Sequence, residues 1–157
     1  MSDNKLTELP SEIGDLKGLR TLNVSMNQLV FLPTSIQKLN QLEWLDLSGN
    51  KLTELPSEIG DLKELRTLNV RKNQLVSLPT SIQKLQQLED LDLSYNKLTE
   101  LPSEIGDLKE LRRLNVSGNP LTSDAKHFLE MKIKGVIGMF IKGEIVVKLL
   151  EGYFYYL

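Results

Sequence analysis

Asparagine recurs at Asn4, Asn27, Asn50, Asn73, Asn96 and Asn119, each 23 residues after the last. Five complete units follow from it, 4–26, 27–49, 50–72, 73–95 and 96–118. Units one, three and five share the text NKLTELPSEIGDLK, whereas units two and four share NQLV and then LPTSIQKL. The full period is therefore 46 residues, an alternating A-B-A-B-A array. Five of the six prolines, Pro10, Pro33, Pro56, Pro79 and Pro102, hold one register in it. A strict period of this length restricts the chain to an architecture of stacked small units, each completed by its neighbours.

The apolar positions of the first unit are Leu6, Leu9, Ile13, Leu16, Leu19, Leu22 and Val24. Leu22 and Val24 enclose one polar residue, the alternation of a short strand. Ile13 and Leu16 lie three apart after Pro10 and Ser11, which suits a short helix or 3-10 turn with proline in its first turn. Each unit thus predicts strand, turn, short helix, turn. The strands are expected at 21–25, 44–48, 67–71, 90–94 and 113–117, parallel in one sheet.

The text LPxxIGxLxxLxxLxLxxN resembles the 23-residue leucine-rich repeats of the Ras-suppressor type, over residues 4–121. That resemblance implies an α/β leucine-rich-repeat solenoid with a concave parallel β-sheet and short helices or 3-10 turns on the convex side. It also implies a buried asparagine ladder at Asn27, Asn50, Asn73, Asn96 and Asn119, whose amides would satisfy backbone groups that no regular ladder reaches. Arrays of this family usually carry caps. Only three residues precede the first repeat here. Three readings of that end stay open: the chain is a piece of a longer protein, another molecule covers the apolar end, or the exposure is tolerated.

With the leucines pointing inward, the residues between them line the concave face in columns, strand by strand. The columns read Arg20, Glu43, Arg66, Glu89, Arg112; then Thr21, Trp44, Thr67, Asp90, Arg113; then Asn23, Asp46, Asn69, Asp92, Asn115; then Ser25, Ser48, Arg71, Ser94, Ser117. Met26, Gly49, Lys72, Tyr95 and Gly118 form the edge. The alternating first column is expected to be a cross-strand salt-bridge ladder, not a ligand site. The A units differ from one another at 18/64/110, 21/67/113, 25/71/117 and 26/72/118, and the B units at 31/77, 40/86, 44/90 and 49/95. Most of these positions lie on the concave face or its edge. Duplication followed by drift, or an engineered array, would give similar text, but drift should strike loops and helices more evenly. A fixed scaffold with a variable recognition surface is the favoured reading. Trp44 is the only tryptophan, at a position that is Asp90 in the other B unit, and it is the expected anchor for a protein partner. Asp46, Thr67 and Arg71 are expected as its polar rim, Met26 and Phe31 as an apolar edge, and Asp90, Arg113 and Tyr95 as further contacts. The rival reading lays Trp44 flat across Thr21 and Thr67 as a mere cover of the sheet.

Catalytic machinery is not expected. The single histidine, His127, has no histidine partner, and the chain has no cysteine. The carboxylates recur unit by unit, as surface residues would, and no glycine-rich phosphate loop follows a strand. No cofactor or metal is predicted. A net charge of −2 with mixed signs gives no field for nucleic acid or an anionic membrane. The spacing of Gly135 and Gly138 matches a GxxG clamp but lacks its surrounding fold. Asn23-Val24-Ser25 and Asn115-Val116-Ser117 match glycosylation sequons, expected to be silent without a signal peptide. The absence of cysteine and of a signal peptide predicts a cytoplasmic protein, with a role as an effector inside a host cell left open. The expected function is a non-catalytic protein-interaction module or scaffold. The alternative is the recognition domain of a larger effector or enzyme. Neither the partner nor the oligomeric state follows from the residues.

After Asn119-Pro120-Leu121 the composition changes, dividing the chain into a repeat array, 1–121, and a segment 122–157 expected to cap it. Ser123 and Asp124 begin a predicted helix. Glu144 to Leu150 is ambiguous between helix and strand. An oligomer interface and a membrane-surface segment are the rival readings of this tail.

Overall fold

The first leucine of each Leu-x-Val or Leu-x-Leu sits at the centre of a strand, which pairs with its counterpart 23 residues on, in the register of the repeat. The computed structural model describes Ser2, residues 4–129 and the backbone of Val146–Lys148. Strands β1 (Thr21–Asn23), β2 (Trp44–Asp46), β3 (Thr67–Asn69), β4 (Asp90–Asp92), β5 (Arg113–Asn115) and β6 (Val146–Lys148) form one parallel sheet in chain order. β6 continues the register on β5, with Arg113 beside Val146 and Asn115 beside Lys148. Opposite the sheet run five 3-10 helices: η1 (Ser11–Asp15), η2 (Thr34–Lys38), η3 (Ser57–Asp61), η4 (Thr80–Lys84) and η5 (Ser103–Asp107). Residues 123–129 are helical, with Ala125 and Leu129 buried in the common core. Residues 130–145 and 149–157, with the Gly135 and Gly138 spacing among them, lie outside the described residues.

Two expectations are corrected locally. Proline stands at the N-cap of each 3-10 helix, not in its first turn. Its backbone is extended, and its carbonyl accepts the first i+3 bond, as in Ile13 N–H to Pro10 O at 3.0 Å. The strands run three residues, not five. The third-column side chain ends each one: Oδ1 of Asp46 accepts the Ser48 N–H at 2.9 Å, and Oδ1 of Asn69 accepts that of Arg71 at 3.1 Å. That local bond competes with extended geometry. The chain nevertheless stays paired beyond the strand, since the Val24 N–H donates to Asp46 O at 2.9 Å and the Met26 N–H to Ser48 O at 2.8 Å.

The core is a continuous column of leucine, isoleucine and valine between sheet and helices. Leu39, Leu62 and Leu85 are 0% exposed, but Leu16, assigned to the core by its register, is 49% exposed. Burial of this position depends on stacked neighbours, and Leu16 belongs to the terminal unit of the stack. The asparagines are buried or half-buried and span the units as the resemblance implied. Asn73 accepts the Leu52 N–H at 3.0 Å and donates to Leu47 O and Val70 O at 3.0 Å each. Asn50, Asn96 and Asn119 repeat this pattern.

Candidate functional site

The residue just before the buried leucine of each strand projects from the sheet face away from the core. The parallel register therefore aligns Thr21, Trp44, Thr67, Asp90 and Arg113 in one row across β1 to β5. Trp44 is half-buried between Thr21 and Thr67. Asp90 and Arg113 hold each other: Arg113 donates through Nε and Nη2 to the two carboxylate oxygens of Asp90. The bonded carboxylate raises the proton affinity of the Arg113 guanidinium above its ordinary value.

The neighbouring first column is largely self-compensated. Arg20 pairs with Glu43, Arg66 with Glu89 at 2.6 Å, and Arg112 with Glu89 at 3.9 Å. The third and fourth columns are less open than strand alternation predicts. Asp46 is half-buried with one oxygen on the Ser48 N–H, and Ser25, Ser94 and Ser117 are buried. Ser48 and Arg71 of the fourth column are half-buried, and the Arg71 guanidinium lies 4.8 Å from the centroid of the Tyr95 ring.

The edge column has a property that sequence reasoning missed. Every member is left-handed, with φ of 54° at Met26, 67° at Gly49, 54° at Lys72, 56° at Tyr95 and 70° at Gly118. Glycine takes that conformation freely, whereas another residue is strained there by about 1–2 kcal/mol. The two glycines also leave room for neighbours. A Cβ on Gly49 would meet Sδ of Met26 at 2.5 Å, and one on Gly118 would meet the Tyr95 ring at 2.8 Å. Met26 and Tyr95 so lie against glycines of the next unit while remaining 56% and 41% exposed. Glycine at two of five copies was the available signal. Phe31, the other expected apolar contact, is exposed but lies off the sheet, between Asn27 and η2.

Among the described residues, the side chains that dominate protein interfaces are concentrated here. All five arginines of the chain, Arg20, Arg66, Arg71, Arg112 and Arg113, stand on this face or its rim, as do Trp44 and Tyr95. Most of the described lysines lie elsewhere. On the side where the chain enters β1 to β3, a polar groove of about 400 Å³ is lined by Arg20, Asn40, Gln41, Glu43 and Glu64. Among the described residues no cluster of three histidine, cysteine or acidic residues is placed to hold a metal ion. No described helix is long and apolar enough to cross a membrane.

The family described as leucine-rich repeat region matches residues 36–132, and that described as leucine rich repeat matches residues 1–52. No curated protein sequence matches the chain significantly. Among solved structures, a leucine-rich-repeat protein of Leptospira interrogans is 35% identical with a TM-score of 0.68, covering 92% of this chain and 41% of its own. The ectodomain of the Arabidopsis thaliana receptor kinase GASSHO1/SCHENGEN3, solved with Casparian strip integrity factor 2, is 43% identical with a TM-score of 0.68. It covers 73% of this chain and 14% of its own. An internalin of Listeria monocytogenes shares the fold at 23% identity and a TM-score of 0.72, over 96% of this chain and 39% of its own. The chain spans less than half the length of each of these structures.

Proposed function

Since the chain belongs to the leucine-rich-repeat family, we propose that it binds a protein partner on the exposed face and rim of its parallel sheet, without catalysing a reaction. The observation that carries this reading is the concentration of every arginine, the only tryptophan and Tyr95 on that surface, above a core that repeats from unit to unit apart from the alternation of Val24, Val70 and Val116 with Leu47 and Leu93. Tryptophan and tyrosine give large contact area with few rotating bonds, and arginine gives a planar fork of several donors, which is why these residues anchor interfaces. Trp44 is the anchor and Thr67 its neighbour. Asp46, Arg71, Asp90, Arg113, Met26 and Tyr95 complete the surface, and Phe31 extends it off the sheet. Most positions that vary between copies fall on this surface. The receptor ectodomain with a bound factor supports the same direction of reading.

A photo-crosslinking residue in place of Thr67, on the sheet face, and separately in place of Glu58, on the helical side, tests this in the organism of origin. Adducts to one protein from position 67 and none from position 58 are expected. Equal labelling from both would contradict a sheet-face site.

A further inference from the structure

On the rim where the chain leaves each strand, one unit differs in charge from the other four. Units one, two, four and five carry Ser25-Met26, Ser48-Gly49, Ser94-Tyr95 and Ser117-Gly118, all neutral, whereas unit three carries Arg71-Lys72. The other arginines are each paired with Glu43, Glu89 or Asp90. Arg71 and Lys72 take part in no ion pair among the described residues. Instead, Arg71 is laid over the Tyr95 ring at 4.8 Å, and that ring rests in turn against Gly118. A ring face takes none of the N–H donors of a guanidinium in an ion pair, so those donors remain available to grip a carboxylate with two bonds. Lys72 is exposed beside it at φ 54°, a strain that the glycine of unit five avoids.

We infer that Arg71, Lys72 and Tyr95 form a subsite for an acidic residue, Asp or Glu, on an extended segment of the protein partner. This rests on the protein-binding reading above and names the chemistry of its partner. Asp46 and Asp92 flank the subsite on β2 and β4, each with one oxygen on a backbone N–H. They repel an acid placed deep on the sheet, so the incoming carboxylate stays on the rim. Met26 lies on the same rim two strands away, roughly 10 Å at ordinary strand spacing, and its side chain is exposed. That distance is about three extended residues. The preferred segment therefore carries an apolar residue about three positions from its acid. Two uncompensated cations on a chain of net charge −2 do not make a nucleic-acid surface.

The test is a selection of displayed random dodecapeptides on the full chain and on the variant Arg71→Ser, Lys72→Gly. That variant gives unit three the rim of unit five, so it keeps the fold. Enrichment of Asp or Glu with an apolar residue about three positions away is expected on the unaltered chain, with affinity falling about tenfold or more in the variant. Acidic peptides bound equally by both chains overturn the inference, as does a selection without acid enrichment. A single-stranded oligonucleotide bound as tightly as the peptides also overturns it. Peptides that lack the acid but lose affinity in Trp44→Ala sink the subsite and leave the sheet-face reading standing. Peptides indifferent to both changes sink both.

Discussion

Asn73 begins the fourth unit, yet its amide is bonded to Leu52 of the third and to Leu47 of the second. Its third bond goes to Val70 O at 3.0 Å, so one buried side chain satisfies groups in two earlier units. Truncation to alanine would leave those backbone groups buried without partners, at about 1–3 kcal/mol each. Asn73→Ala is expected to lower the unfolding free energy by about 3 kcal/mol or more in urea titration. A loss below about 1 kcal/mol would show that the ladder carries little of the stability. The residues of the sheet face divide differently. Asp90 and Arg113 satisfy each other, whereas Trp44 has only threonines beside it in its row and Arg71 only an aromatic ring. Residue type and register placed all of these in the sequence. Which were already paired was not legible there, because pairing depends on rotamers across strands.

The elements follow the alternation of units. Gly14 and Gly60 of the A units approach the B unit that follows: a Cβ on Gly60 would meet Ser81 O at 2.4 Å and Ser81 Cβ at 2.9 Å. The 46-residue period in the text is thus a packing period, with a close helix-to-helix junction from A to B. Gly60→Ala should destabilise by roughly 1–3 kcal/mol through overpacking, because the obstacle is backbone. Gly18→Ala, with nothing within 4 Å of the added atom, is expected to stay within about 0.5 kcal/mol of the parent. Similar midpoints for the two variants would deny the close junction. Strand positions were legible from leucine spacing. Strand length was not, since Asp46 and Asn69 end their strands through local bonds that hydrophobic patterning does not register. The left-handed rim was visible only through Gly49 and Gly118, with Met26, Lys72 and Tyr95 masking it.

At the scale of the molecule, stacking decides which positions are core. Leu16 and Leu62 occupy the same place in their units, yet one is 49% exposed and the other 0%. Leu114, Val116, Ala125 and Leu129 share one core cluster at the other end. A chain ending at Thr122 would uncover apolar surface there and is expected to associate or melt earlier. Light scattering and a melting curve would detect either change; a monomer with unaltered melting would deny the tail a covering role. The central claim, a protein-binding sheet face anchored by the only tryptophan, is tested most directly by calorimetry on the protein captured through position 67. Trp44→Ala should weaken that binding by roughly 2–4 kcal/mol while changing the stability of the chain little. Equal affinity of the variant and the parent chain for that protein would contradict the account.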